Sequence, residues 1–213
     1  MNTGTVIYYL SFVPAIVIGI TCHEFAHARM AYAFGDPTAR EAGRDTLNPL
    51  AHLDPIGTLG IIFMGFGWGK PVPVNVSRLR HPRADLVVSA AGPMTNLLVA
   101  MLAGLLLRIP GSLQQMASWG LADGAIILAS MTVHVNLMLA FFNFIPLGPL
   151  DGSSILSNLL PVRASVLFQK FNRAYGGYLL LALILSGYLL PVSIFSLILG
   201  PPINFFTTLI LGS

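Results

Sequence analysis

Charge is the scarcest ingredient of this sequence. Lys, Arg, Asp and Glu make up 9% of its 213 residues, where a soluble domain carries about 25%. With 55% of the residues hydrophobic, that deficit excludes a conventional water-soluble fold. It points to an integral membrane protein built as one compact polytopic domain. Cysteine is almost absent as well. The single Cys22 excludes an intramolecular disulfide and any cysteine-only metal cluster, and packing is its expected role. There is no Lys/Arg block with interleaved aromatics, so the net charge of +3 does not read as nucleic-acid binding. The stretch before Thr21 has no Lys or Arg, and no small-residue cleavage site follows it. A retained first span is therefore expected rather than a secretory signal. Low-complexity tracts, tandem repeats and a soluble globular domain are also missing.

What is present is a series of apolar runs. A span needs about 20 apolar residues. Candidate spans cover roughly 6–34, 86–107, 124–145 and 178–199. Gly200, Pro201 and Pro202 then read as a break, followed by a short hydrophobic half-span or hairpin at 202–212. The expected fold is an all-α polytopic membrane protein with about four to six transmembrane helices, all of 1–213 forming one membrane-embedded domain. The loop between the first two spans contains "GWGKPVPVNV", in which Val alternates with Pro or Asn. That pattern suits an edge strand, so a small membrane-associated β-hairpin or sheet is expected there. A glycine-rich apolar loop can enter the membrane only where protein covers its backbone.

Basic residues set the orientation. Arg40, Arg44, Lys70, Arg78, Arg80 and Arg83 lie between spans one and two, and Arg163, Lys170 and Arg173 between spans three and four. Both loops are expected to be cytoplasmic and the N-terminus outside. Arg78, Arg80 and Arg83 read as a cluster for topology and lipid headgroups. Trp68 and Trp119 read as interfacial anchors.

Against this background the stretch "ITCHEFAHARM", Ile20 to Met30, is out of place. A charged side chain at the bilayer centre costs at least roughly 2.5–3.5 kcal/mol, and here three ionisable groups share about one turn. His23 and His27 are four apart, so a helix puts them on one face. Two imidazoles at that spacing can hold one zinc ion, and Glu24 between them is placed for general-base work. A catalytic zinc takes three protein ligands. The candidates for the third are Asp151, His52, Asp54, His134 and Asp36, with Asp151 the best placed. It lies in "NFIPLGPLDG", Asn143 to Gly152, at the end of the third span. Pro146 and Pro149 forbid a regular helix there, and unwound backbone at membrane depth must be buried or line a wet cavity. The histidines lie roughly 25–32 Å along span one, toward the cytoplasmic side, where span three also ends.

These residues resemble a known family. "HEFAH" in the first span together with "NFIPLGPLDG" after the third is similar to the site-2 protease family of intramembrane zinc metalloproteases. "AAGPMTN", Ala90 to Asn96, resembles the G-P-x-x-N element of that family. "NPLAHLDPIGTL" and "GWGKPVPVN" are similar to its compact bacterial branch. The resemblance covers about 6–156. It implies one Zn2+ per chain held by His23, His27 and Asp151, with Glu24 as catalytic base. It implies cleavage of a transmembrane protein substrate within or near its spanning segment, and Asn143 and Asn96 as substrate-binding or oxyanion residues. It also implies a prokaryotic cytoplasmic (inner) membrane, with the active site toward the cytoplasm. The expected partners are that substrate and the lipid bilayer, with no nucleic acid. The chain has no room for a PDZ or nucleotide-sensing domain. An edge strand at "GWGKPVPVN" would clamp an extended substrate by strand addition.

Other polar residues carry competing readings. Asn136 and Asn143 are seven apart and share a helical face, either a stripe facing the site or interhelical hydrogen bonding. His134 lies on another face and reads as structural or as support for a ligand. His52 and Asp54 could orient a zinc ligand, although Asp54-Pro55 also reads as a turn. Two rival functions remain at this level, a membrane metal carrier and a catalytically inactive substrate-binding relative. Neither explains why Glu24 occupies the general-base position.

Overall fold

The computed structural model describes residues 3–64, 67–109, 118, 122–191 and 193–212. Trp119 lies outside them. Helix α1 (Thr3–Ala33) leads into a short α2 (Thr38–Glu41) and then α3 (Pro55–Met64). Two long helices follow, α4 (Ala84–Arg108) and α5 (Ala122–Asn143). The chain ends with α6 (Asp151–Leu159), α7 (Val162–Phe171), α8 (Gly177–Leu189) and α9 (Ile194–Leu211). A π-turn, Asn172–Gly176, joins α7 to α8. Among the described residues, four segments are long and apolar enough to cross a membrane: Leu10–Ala33, Ala84–Arg108, Gly124–Asn143 and Ile194–Leu211.

Helices α1, α4 and α5 pack on one another, and α9 leans on α5 and α4. Lipid offers no hydrophobic drive for such packing, so close approach of backbones and internal hydrogen bonds must hold it. The sequence supplies small residues for this. Gly92, Ala100, Ala103 and Gly104 of α4 are buried at the contacts, and a Cβ on Gly104 would run into Ile210 of α9. One apolar cluster gathers Phe12, Ile16 and Ile20 of α1 with Ile61 and Val135. A second gathers Val133 and Leu137 of α5 with Leu199 and Ile203 of α9.

Two expectations are corrected. First, no β-hairpin or sheet forms among the described residues. The pairing there is a single antiparallel bridge between Leu53 and Gly69. The segment after it is irregular backbone, and the reason is where its N–H groups go. Pro71 and Pro73 have none. Val72 N–H donates to Glu24 Oε2 at 2.9 Å and Asn75 N–H to Asp36 Oδ2 at 2.6 Å. Glu24 within α1 and Asp36 just beyond its end take bonds that a partner strand would have taken.

Second, the C-terminal break falls at 190–193, not at Gly200–Pro202. Leu190 is extended, with φ −109° and ψ 147°, because Pro191 disfavours the helical conformation of the residue before it. Ser193 then caps α9, its hydroxyl accepting from Ser196 N–H. Pro201 and Pro202 lie inside α9, as membrane helices tolerate.

Candidate metal centre

The site grows from α1, whose register puts His23 and His27 on its inner face, each 8% exposed. Their rings meet edge to face, with centroids 4.6 Å apart. The opposite wall is the start of α6. Between Asn143 and Asp151 the chain leaves the helix and turns back through short loop bonds, Leu147 N–H to Ile145 O and Leu150 N–H to Leu147 O. Asn172 of the π-turn accepts from Gly148 N–H at 2.9 Å. Gly152 is pressed on the carbonyls of Phe144 and Ile145 so closely that no Cβ would fit. This tight return puts the Asp151 carboxylate against both histidines. Asp151 Oδ2 is 3.1 Å from His23 Nε2 and 3.3 Å from His27 Nε2. The two Nε2 atoms are 3.0 Å apart.

The hydrogen bonds behind the rings fix what these atoms are. His23 Nδ1 faces Asn96 Oδ1 at 2.7 Å, and His27 Nδ1 faces the Val88 carbonyl at 2.8 Å. Both partners only accept, so each Nδ1 carries a hydrogen, and the neutral form of each ring turns a lone pair outward from Nε2. The amide orientation of Asn96 is itself determined, because its Nδ2 donates to Gly19 O at 3.0 Å and to Asn136 Oδ1 at 2.9 Å. Asn136 in turn donates to Thr132 O at 2.9 Å. Two lone pairs and a carboxylate oxygen thus converge, and Asp151 Oδ2 is buried without a hydrogen-bond partner. Three acceptors at that spacing call for a cation. Zinc fits: with bonds of about 2.1 Å, the edge of a tetrahedral zinc site is about 3.4 Å, close to the observed separations. The set of two imidazoles and one carboxylate matches zinc's preferences and leaves a fourth position open.

Helix α4 closes the remaining side. A Cβ on Gly92 would stand 2.6 Å from His23 Nε2 and closer still to His27 Nε2. Glycine is therefore required by the approach of α4 to the imidazoles. The site opens into a cavity of about 770 Å3 that also takes in Glu24, Val72 and Asn143. Glu24 is half-buried, one residue from His23, and holds Val72 N–H.

The other sequence candidates sort clearly. His23, His27 and Asp151 are brought together. Asn96 is fully buried behind His23, so it supports a ligand and does not face substrate as the sequence suggested. Asn136 lies one step further along the same chain of hydrogen bonds. Asn143 lines the cavity, its amide donating to Leu139 O. His52 is fully buried with Nε2 against Thr46 O, and its carbonyl accepts from Lys70 N–H, so it braces the loop. Asp54 accepts from Gly57 N–H at the start of α3 and is a helix cap. His134 is exposed on the outer face of α5, away from the three converging residues. Asp36 is fully buried, and burial pushes its carboxyl up. Hydrogen bonds from Thr38 and Asn75, with the Arg78 charge, outweigh burial and hold it below the usual range.

Sequence reasoning gave no role to Val88, Val72 or Asn172. Gly92 was read only as part of the G-P-x-x-N element, though it precedes Asn96 by four and shares its face. Val88 and Val72 act through backbone atoms, which leave no mark on side-chain identity.

Comparisons with known proteins give the chain's family. The family model "Peptidase family M50" matches residues 108–186. The chain is 39% identical over 211 residues to "Putative zinc metalloprotease YwhC" of Bacillus subtilis, covering 91% of this chain and 96% of that protein. It is 30% identical over 181 residues to "Putative zinc metalloprotease Rip2" of Mycobacterium tuberculosis, covering 81% of this chain and 67% of that one. It is 26% identical over 158 residues to "Putative zinc metalloprotease MJ0611" of Methanocaldococcus jannaschii, covering 73% of each. No solved structure matches the chain significantly. With four apolar helices of spanning length and near full-length similarity to one of these proteins, the chain is an integral membrane protein and belongs to peptidase family M50, the site-2 protease family of zinc metalloproteases.

Proposed function

We propose that the protein is an intramembrane zinc endopeptidase that hydrolyses peptide bonds within or near the transmembrane segments of membrane proteins. It holds one zinc ion on His23, His27 and Asp151, and Glu24 is the catalytic base. The observation that carries this reading is the convergence of two imidazole lone pairs and a carboxylate oxygen within 3.0–3.3 Å of one another, beside Glu24 in one cavity. Zinc, when bound, supplies Lewis acidity to water and to the scissile carbonyl. Glu24 takes a proton from the attacking water and passes it to the leaving amine. Asn143, half-buried at the cavity wall, is the amide placed to hold the substrate carbonyl. The extended backbone near Val72 is the strip along which an unwound substrate lies.

The basic loops favour a cytoplasmic active site and an outside N-terminus. The bacterial and archaeal relatives support a prokaryotic cytoplasmic membrane. The test is metal content and cleavage measured together on purified wild type and Glu24→Gln. The substrate is a model single-span protein with helix-breaking residues in its span. About one zinc per chain in both, with cleavage only by wild type, is expected of a catalytic site with three protein ligands. A wild type that binds no zinc under non-chelating purification sinks the ligand set. Equal cleavage by both proteins removes Glu24 as base.

A further inference from the structure

Among the described residues, the catalytic cavity is lined by three carboxylates and by no Lys or Arg. Two of them, Glu24 and Asp151, belong to the chemistry. The third, Asp85, has no part in it. Asp85 is half-buried in the first turn of α4. It lines both the catalytic cavity and a shallow surface depression formed with Arg80, His81 and Asn158, so it stands where the cavity meets the surface.

The other acidic side chains described here are each committed. Asp36 is bound by backbone N–H groups, and Asp54 caps a helix. Glu41 pairs with Arg78, and Asp45 with Arg29 and Arg40. Asp85 has a neutral partner, the Asn158 amide at 2.6 Å, and no ion pair among the described residues. A carboxylate kept at the mouth of an apolar cavity, without a cation of its own, suits a cation brought from outside.

Its position says where that cation sits. Asp85, Ser89, Gly92 and Asn96 fall at helical spacing on one face of α4, and Gly92 is the residue pressed against the two Nε2 atoms. The seven residues from Asp85 to Gly92 rise about 10 Å along the helix. An extended chain covers about 3.3 Å per residue, so Asp85 is level with a substrate residue about three positions from the scissile bond. That flank lies on the side of the basic loop, where spanning segments of other proteins also carry an excess of Lys and Arg.

Resting on the proteolytic reading, we propose that Asp85 is a specificity residue. It takes a Lys or Arg of the substrate about three residues from the scissile bond on the cytoplasmic flank. Attraction of this kind at a partly wetted mouth changes kcat/KM by about two- to fivefold.

The test uses the full-length protein in detergent and the model single-span substrate. Lys, Ala or Glu is scanned through positions two to five on that flank. For wild type, the kcat/KM ratio of the Lys to the Ala substrate should peak near position three at about two- to fivefold. Asp85→Asn, which is isosteric and can keep a bond to Asn158, should bring the ratio to about one. Asp85→Lys should favour the Glu substrate. Asn158→Ala breaks the tie to α6 but keeps the carboxylate, and it should preserve the wild-type ratio. Cleavage of the Lys and Ala substrates at equal efficiency by wild type overturns the proposal and leaves the protease reading intact. So does a preference that survives in Asp85→Asn. Cleavage of none of the substrates overturns both.

Discussion

The two ends of the molecule treat polar groups in opposite ways. In the bundle of α1, α4 and α5, buried His23, His27, Asn96 and Asn136 each have hydrogen-bond partners. In α8 and α9 the helices are apolar almost throughout, and their polar bonds run mostly to backbone: Ser186 Oγ donates to Leu183 O and accepts from Ile194 N–H, and Leu209 O accepts from Arg108 of α4. Half of the α1 span is buried in protein, against 11% of the α9 span. The contrast follows from what lipid demands. A helix facing lipid needs only apolar surface, whereas a polar side chain at membrane depth must find a partner on a neighbouring helix. Buried polar groups therefore mark where the molecule has a task, and the C-terminal helices serve as a wall.

This contrast can be broken at graded cost. The largest effect is expected from Glu24→Gln, a loss of about 10²–10⁴ in cleavage rate with zinc content retained. Gly92→Ala comes next. The added methyl has no room beside the imidazoles, so overpacking of about 1–3 kcal/mol should appear as lost zinc and a lower Tm in the same detergent. Asn96→Ala strips His23 Nδ1 of its acceptor and takes the donor from Asn136 Oδ1. It should weaken zinc binding about 10–100-fold, read by competition with a chelator.

Asp36→Asn acts through pH. The folded carboxyl titrates below its ordinary value of 3.8. Its stabilisation is therefore complete above that value and is lost as pH falls through the lower folded pKa. At neutral pH the Asn variant should melt below wild type, and the gap should close as the medium is acidified below about pH 4. At the far end, Leu189 of α8 is 75% exposed. Leu189→Ala should change stability by less than about 0.5 kcal/mol and zinc content not at all. A Leu189→Ala effect as large as that of Asn96→Ala would erase the distinction between the two regions.

Much of the bundle was legible because lipid leaves few choices. Long apolar runs must be helices, and His23 and His27 at a spacing of four must share a face. Asp151 was legible through Pro146 and Pro149, which forced the backbone out of the helix near the histidines. Two features were misread, both at proline. In "KPVPVNV" the alternation was taken as an edge strand, but Pro71 and Pro73 leave too few N–H groups for a ladder, and Glu24 and Asp36 claim two that remain. At the C-terminus, Pro201 and Pro202 looked like the stronger break, yet α9 runs through them while Leu190-Pro191 ends α8. Local rules written for water overrate a proline pair inside a membrane helix. Asn96 was found, but its duty was not. A lone asparagine does not say whether it faces a cavity or the back of a histidine, and only the packing of α4 between α1 and α5 decides that.

The hydrogen-bond chain through Asn96 has a consequence for how the protein is made. Asn96 on α4 bonds His23 and Gly19 on α1 and Asn136 on α5, and Asp151 comes only after α5. During synthesis α1 enters the bilayer first, with both imidazoles lacking partners. The ring nitrogens gain their acceptors when α4 arrives, and the carboxylate joins them only after α5 is in place. On the proposed ligand set, zinc retention therefore reports that α1, α4 and α5 have docked, and a chain arrested before Asp151 would carry two histidines with no third ligand to complete them.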